Sequence, residues 1–551
     1  MKISKKYYKQ QNIISRIKDV CPDYGIQTSA IVLSVNQVGY DSDKTKRGTI
    51  INAPNDTDFY VKRASDDKTL FKGKVRNQIA DFTPLAINTD DEMYLEYEGQ
   101  KSFNFKIKDN LIENISLPLA LKFMEMTRQD KFRGSATGYA WRDSHQFSFE
   151  LNSLVMMYMS NPDYYENLPW DVYKINTCEY SELQTQTEPN IIWLMKFAVT
   201  RYYNWCINDN VQLHALIKAQ LPYFLYIYPN ISQYVTNDFY TQIRDFTINQ
   251  WSVETCNKSW YEVDGDINHN LFTTQEKIGT VKGQLPPGYA IIPNLMMYEV
   301  AKRDGLDTAE QFLTSAINNI TWLVNEVDLD DPSNTKGQRM SEYITMTSLC
   351  YAYELYSNKC PEGTYEKIER WADVMISRSN NPWDFRQYTA IGDLTGSTKN
   401  IYVSVTTVPG LQNQPGNVAG FASCCYAVAR VLTNELKKKK LKTLAISHLD
   451  HVFGRNPVNR FMCYTATDEF EGADRNWFSR YQGGHGNILE EGVVGALDGA
   501  PKDAHYPCNP IANDGYSEAW VAFNTAWNTS LAYLCAENPG INGIGIFNKN
   551  K

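Results

Sequence analysis

The spacing of apolar residues changes once along this chain, near residue 110, and that change limits the fold more than any other feature. From residue 28 to about 110, short runs rich in β-branched and aromatic residues alternate with turn formers such as Asn55-Asp56 and Asp66-Asp67. The runs are Ile31 to Val35, Gly48 to Asn52, Asp58 to Arg63, Met93 to Tyr97 and Ser102 to Ile107. Their length and spacing predict a β-sandwich. From Ile115 onward the period is helical, and twelve helices are expected, near 115–128, 146–159, 187–206, 212–227, 236–250, 288–304, 307–326, 339–357, 362–378, 417–434, 440–453 and 518–536. Twelve is the number that six helical hairpins need to close a double ring. The expected organisation is an extension over 1–27, a sandwich over 28–110 and a helical domain over 111–551.

Composition narrows what such a fold can do. Hydrophobic residues at 43% and charged residues at 21% mark a globular chain, not a disordered one. Lys and Arg sum to 54 against 63 Asp and Glu, a formal net charge of −9, which disfavours nucleic acid and anionic membrane surfaces and suits a neutral ligand. Aromatics reach 13%, with 36 Tyr and 12 Trp; such faces stack on sugar rings, but by composition alone core packing explains them better. The run Lys437 to Lys440 reads as a solvated helix end. Met1 to Ile26 has no apolar run of signal-peptide length, and no stretch of the chain is long enough and apolar enough to span a membrane, so a soluble protein is expected.

Eleven cysteines is an odd number, and Cys206, Cys350, Cys424, Cys425 and Cys535 sit within apolar helical patterns, where a thiol packs like a small hydrophobe. Free thiols favour a reducing compartment. No Cys/His spacing suggests zinc, and no glycine-rich phosphate loop or Gly-x-Ser-x-Gly elbow occurs. Asp264-Gly265-Asp266-Ile267-Asn268 lacks the glutamate of a calcium loop and reads as a turn. Neither a metal nor a cofactor is expected.

The segments between helices at 129–145, 251–287, 380–416 and 454–517 are long and rich in Gly, Pro, Asn and aromatics. Connections of that length usually build a functional surface. Three motifs give that surface a chemistry. Val35-Asn36-Gln37-Val38-Gly39-Tyr40 resembles the first strand of the immunoglobulin-like module preceding the catalytic domain of glycoside hydrolase family 9. His451-Val452-Phe453-Gly454-Arg455-Asn456-Pro457 is similar to that family's Leu-Gly-Arg-Asn-Pro turn. Gly495-Ala496-Leu497-Asp498-Gly499-Ala500-Pro501-Lys502-Asp503 is similar to its Gly-x-Leu-x-Gly-Gly-Pro-Asn loop. The resemblance spans about residues 28 to 545 and implies an immunoglobulin-like sandwich followed by an (α/α)6 barrel. It also implies a β-linked glucan or related oligosaccharide as substrate. Relatives are mostly exported, which opposes the compartment suggested by the thiols. A monomer is expected.

Inverting hydrolysis needs a proton donor and a carboxylate that deprotonates water, about 6.5 to 9.5 Å apart. In Gly138-Tyr139-Ala140-Trp141-Arg142-Asp143-Ser144-His145-Gln146-Phe147, Asp143 follows Trp141 as the first aspartate of the family's water-holding pair does, and the resemblance makes it the general base. Gln146 stands where the second aspartate would be. Without the resemblance, Asp143 reads equally as a helix N-cap. In Tyr516-Ser517-Glu518, before the last helix, Glu518 occupies the place of the family's general acid, with Ser517 in place of Asn. A glutamate that only complements the helix dipole is the plain alternative. His485, among glycines and close to Tyr481, is a candidate for sugar contact, as are His145, Trp141, Trp260, Trp383, Arg386 and Tyr516. Two other functions fit the same residues. One is a barrel that binds glycan without cleaving it; the other is a uronic-acid polysaccharide lyase using Tyr481 and His485.

Overall fold

The structure, a computed structural model, describes residues 31–126, 150–168, 187–255, 268–275, 286–330, 342–386, 415–456, 459 and 521–550. Its first part is built from strands of period two. In β4 (Asp58–Arg63) Phe59 and Val61 point into the core, as do Phe105 and Ile107 of β9 (Phe105–Lys108), while their neighbours face outward. One sheet joins β1 (Val32–Ser34), β3 (Arg47–Ile51) and β6 (Ile79–Asp81) in the order β1-β3-β6. The other runs β2 (Gly39–Asp41), β9, β7 (Thr89–Tyr97), β4, β5 (Thr69–Lys74), with β8 (Gln100–Lys101) on β7. The pairings are antiparallel except β2 with β9. Between the sheets Tyr40 meets Phe82 and Phe105 edge-on, at 5.1 and 5.2 Å between ring centroids. Gly39 has φ +131°, and a Cβ there would lie 2.2 Å from the Lys106 carbonyl oxygen, so β2 can approach β9 only without a side chain at this position.

The expected strands are present, and β2, β5, β6 and β8 are additional. β5 alternates exposed and half-buried positions without a fully buried residue, so its sequence carries little apolar signal. Its pairing with β4 supplies what its composition lacks.

The helical part comprises α1 (Leu111–Met126), α2 (Glu150–Ser160), α3 (Pro162–Glu166), α4 (Asn190–Ile207), α5 (Ala215–Lys218), α6 (Leu221–Ile231), α7 (Asn237–Trp251), α8 (Ile291–Arg303), α9 (Ala309–Glu326), α10 (Glu342–Tyr356), α11 (Thr364–Arg378), α12 (Pro415–Val431), α13 (Glu435–Val452) and α14 (Val521–Ala536). Contacts among six of them run α2, α6, α8, α10, α12, α14 and back to α2. The other long helices lie against that circuit: α1 on α14, α4 on α2 and α6, α7 on α6, α9 on α8, α11 on α10 and α12, α13 on α12. Burial follows the same division. All of α2 is buried, whereas α11 buries one stripe, Thr364, Ile368, Trp371, Ala372 and Met375. A helix apolar all round is an interior helix, and one with a single apolar stripe covers it. No described helix is long and apolar enough to cross a membrane.

Two differences from the sequence expectation have local causes. The helix expected at 212–227 is divided into α5 and α6, with Gln220 and Pro222 at the start of the second. The helix expected from 440 begins at Glu435, because the Asn434 side chain accepts from the Leu436 and Lys437 amides and caps it. The lysine run then lies in its first turns, where Lys437 pairs with Glu369 at 3.0 Å and Asp373 at 2.9 Å. Cys206, Cys350, Cys360 and Cys535 carry free thiols, and burial raises each above the usual thiol range.

Sandwich and helical domain are joined by two of the motifs singled out in the sequence. Asn36 Nδ2 donates to Asp450 Oδ1 at 2.9 Å, and the Gln37 amide donates to the Phe453 carbonyl at 2.9 Å. Asn36 Oδ1 accepts from the Val38 and Gly39 amides, which fixes the turn that presents Gln37. Gln37 Nε2 reaches the Asn459 carbonyl at 2.8 Å. Gly454, φ +115°, leaves room for that side chain; a Cβ there would lie 2.6 Å from Gln37 Nε2. Beside them Arg455, fully buried, donates to Asp384 Oδ2 (2.8 Å), Ser447 Oγ (3.0 Å) and Thr49 Oγ1 (3.2 Å). Arg47 of β3 completes the set on Asp384 at 3.2 Å.

Candidate functional site

Connection lengths distinguish the two ends of the helical domain. The chain passes from α6 to α7 through 232–236, from α8 to α9 through 304–308, from α10 to α11 through 357–363 and from α12 to α13 through 432–434. Such short links make antiparallel neighbours, so the C-terminal ends of these interior helices share one end with the starts of the outer ones. At the opposite end the chain returns to the interior helices through 127–149, 208–220, 252–290, 327–341, 379–414 and 453–520. Side chains that could act on a ligand are therefore sought around the N-terminal ends of α2, α6, α8, α10, α12 and α14.

At that end the interior helices enclose a small cavity of about 20 Å³, room for about one water. Asn152 and Met156 of α2, Tyr223 of α6, Ile292 and Pro293 of α8, Tyr343, Ile344, Thr347 and Ser348 of α10 and Thr529 of α14 line it, with Ala219 and Tyr289. Burial raises the Tyr223 and Tyr343 hydroxyls well above the ordinary phenol range, so they stay protonated; Asn152 lies beside the first, Thr525 and Thr529 beside the second. A pyranose does not fit in that volume. The cavity forms a floor in which Asn152, Tyr223, Tyr289, Tyr343 and Thr529 sit among apolar side chains.

The helix starts around this floor are fixed by buried polar groups. Gln220 Oε1 accepts from the Leu151 amide at 2.9 Å, satisfying a first-turn donor of α2. Lys218 Nζ donates to the carbonyls of Gln250 (3.0 Å), Val253 (2.8 Å) and His269, binding the end of α7 to the start of α6. His214 and His269 meet edge-on at 4.9 Å, and their Nδ1 atoms accept from the Leu216 and Ala215 amides. Burial lowers both imidazoles, His269 to about 4, and the neighbouring Lys218 acts in the same direction, so both are neutral scaffolding. Lys196 and Glu188 form a buried ion pair at 2.6 Å.

Two sugar-contact candidates fall within this framework. Trp383 is 1% exposed, between Pro382, whose carbonyl accepts from Thr49 Oγ1 at 2.8 Å, and Asp384. So little of its side chain is exposed that no face is open for stacking. Arg386, also 1% exposed, holds its guanidinium 4.3 Å from the Phe421 ring, and its amide donates to His448 Nε2 at 3.3 Å. Asp143, Trp141, His145 and Gln146 lie outside the described residues, as do Trp260, Tyr481, His485, Tyr516 and Glu518. By sequence position they belong to the connections 127–149, 252–290 and 453–520.

Asn152, Tyr223, Tyr289, Tyr343 and Thr529 were not singled out in the sequence. Polar residues near the start of a helix that is otherwise apolar all round are the signal that marks Asn152 and Tyr343. A larger cavity of about 550 Å³ lies against the start of α13 and the end of α12. There Lys438 pairs with Glu435 at 2.8 Å and Lys442 with Glu537 at 2.5 Å. Among the described residues no cluster of metal-ligating side chains occurs.

Comparison with known proteins agrees with the architecture. Residues 28–84 match the family model of the cellulase N-terminal immunoglobulin-like domain. No curated protein matches the chain. Solved structures similar to it include a family 9 glycoside hydrolase of Bacteroides ovatus, at 12% identity and TM-score 0.56, covering 91% of this chain and 99% of that one. AaCel9A in complex with a cellobiose-like isofagomine is similar at 10% identity and TM-score 0.59, covering 92% and 99%. A thermostable endoglucanase of Alicyclobacillus acidocaldarius, a single mutant, is similar at 10% identity and TM-score 0.55, covering 91% and 99%. The chain has the fold of these proteins, an N-terminal immunoglobulin-like domain and a helical domain.

Proposed function

We propose that the chain is a glycoside hydrolase of the family 9 type, with a helical domain that is an (α/α)6 barrel beginning at residue 111 and a sandwich over 28–110. It cleaves a β-linked glucan or a related oligosaccharide with inversion. Glu518 protonates the leaving oxygen, and Asp143 deprotonates the attacking water. The observation that carries this reading is the shared architecture: six interior helices in closed contact order, joined to a sandwich of the cellulase N-terminal type, with the fold covering nearly the whole of the family 9 structures.

The sequence positions of the two acids support their roles. Asp143 lies in the connection that enters α2, and Glu518 shortly before Val521 at the start of α14. α2 and α14, the helices that these two acids precede in the sequence, are neighbours in the interior circuit. His485, Tyr481, Trp141, His145, Trp260 and Tyr516 are proposed to hold the sugar; Arg386, 1% exposed and packed on Phe421, is not carried forward. Trp383 is not carried forward, because it is covered. Relatives bound to a cellobiose-like sugar suggest a similar ligand here. No metal or cofactor has a step in this chemistry.

A reducing-sugar assay over a panel of soluble β-glucans and oligosaccharides, run beside Glu518→Gln, tests the proposal. Release of reducing ends by the wild-type chain and its loss in the variant are expected. No release on any glycan, with tight binding retained, would replace the hydrolase with a glycan-binding barrel.

A further inference from the structure

The joint between sandwich and helical domain contains buried acids that hydrolysis does not use. Asp450 of α13 is 2% exposed; its Oδ1 accepts from Asn36 Nδ2 at 2.9 Å, and its Oδ2 meets no donor. At the other side of the joint Asp41 of β2 and Glu113 of α1 are each 3% exposed. Asp41 Oδ1 accepts from the Ile112 amide at 3.0 Å, and Glu113 Oε1 from Asn538 Nδ2 at 2.6 Å. Among the described residues none donates to Asp41 Oδ2 or Glu113 Oε2, and the two carboxyl groups interact directly.

The surrounding charges do not remove the need for a proton. Arg455, the cation nearest Asp450, is bonded to Asp384, which Arg47 also holds. Tyr40 donates its hydroxyl to the Arg47 carbonyl, and burial keeps His451 on the same helix neutral. At the second site Lys44 is bonded to Asn538 Oδ1, Lys46 to the Ser42 and Lys44 carbonyls, and Glu537 to Lys442. Tyr426 and Cys535 face the pair as neutral groups, both raised by burial. Two carboxylates in contact in a low-dielectric site cannot both ionise without a large penalty, and a lone buried carboxylate pays a similar one.

We propose that docking of the sandwich on the helical domain depends on protons: Asp450 and the Asp41–Glu113 pair hold the joint closed while each site carries a proton, and loosen it when that proton leaves. The direction of titration agrees. Burial pushes Asp450 up to about 7, against the pull of Arg455, and burial together with Glu113 raises Asp41 well above the carboxylate range. A folded-state value above the unfolded one means that the native chain keeps protons the unfolded chain has released. Stability that is full below about pH 4 is therefore lost as the pH rises through about 7 for Asp450.

The test is calorimetry of the full chain at several pH values between about 5.5 and 8.5, with hydrogen exchange at residues 36–41 corrected for the intrinsic base-catalysed rate. Wild type should melt at lower temperature at the alkaline end, and its 36–41 amides should exchange faster there. Asp450→Asn and Asp41→Asn place a neutral amide where the proposal requires a proton. Each should reduce the alkaline fall, and together they should abolish it. A wild-type melting temperature and exchange rate unchanged over this range would overturn the proposal, and so would a fall that both variants retain in full. Failure of Asp450→Asn to fold at acidic pH would also count against it, since a neutral group is what it needs at that position.

Discussion

The Arg455–Asp384 contact allows a sharp test of what holds the two domains together. Arg455 has no exposed side-chain surface, and the Asp384 side chain is 12% exposed. Asp384 has φ +48°, a conformation Asn tolerates as well as Asp, so Asp384→Asn removes the charge without straining the backbone. The guanidinium is then left buried beside neutral oxygens. Removing one partner of a buried pair costs about 3–5 kcal/mol. At roughly 2.1 cal/mol/K per residue, cooperative unfolding of all 551 residues carries an entropy of about 1.2 kcal/mol/K. The melting temperature should therefore fall by about 2.5–4 °C, and by more if the domains unfold separately. Arg47→Ala is the comparison. Its side chain is 26% exposed, so solvent screening limits the loss to about 1 kcal/mol or less. The double variant Asp384→Asn/Arg455→Met, which leaves no fully buried charge and only Arg47, still paired with Asp81, should recover most of the loss, because neutral replacement of a whole buried pair is often tolerated. Scanning calorimetry decides. An Asp384→Asn loss no larger than that of Arg47→Ala, or a double variant less stable than Asp384→Asn alone, would refute the reasoning.

Gly454→Ala places a Cβ against Gln37 Nε2 and enforces a side chain at φ +115°; a loss of about 1–3 kcal/mol is expected, read from a shift in thermal midpoint and relieved in part by Gln37→Ala. His269, held down to about 4 by burial, contributes stability present above its unfolded value and lost as pH falls through about 4. That is worth on the order of 3 kcal/mol, and a His269→Gln variant should show a flatter acid limb of melting temperature. Glu518→Gln should lower turnover on natural glycans by on the order of 10² to 10⁴ while sparing aryl glycosides, whose leaving groups need little protonation. Asp143→Asn should damage both substrates alike, and steady-state kinetics on the two substrate types would expose a reversed assignment.

The sequence by itself determined the class of each half of the chain. Alternation in Asp58–Arg63 and Phe105–Lys108 and the helical period beyond residue 115 reflect local geometry, in which side chains two apart or three to four apart share a face. The interior position of α2 was legible too, since a run apolar on every side has no solvated face to offer. Where a boundary depended on a cap, as at Asn434, the local signal was present but was outweighed by the lysine run after it. What only the tertiary structure decided is which distant residues meet. Val35 to Tyr40 and His451 to Pro457 were conspicuous as separate motifs, yet nothing in either states that Asn36 bonds Asp450 or that Gly454 makes room for Gln37. Trp383 was a candidate for sugar contact because an aromatic residue in a long connection has the same local sequence whether it is covered or open; in the structure it is 1% exposed. The axial floor of Asn152, Tyr223 and Tyr343 arises the same way, from helices that are far apart in the chain and adjacent only once their circuit closes. Periodicity reports the direction of a side chain relative to its own element. Its partner is set by how the elements pack, and packing joins residues between which the chain carries no repeating pattern.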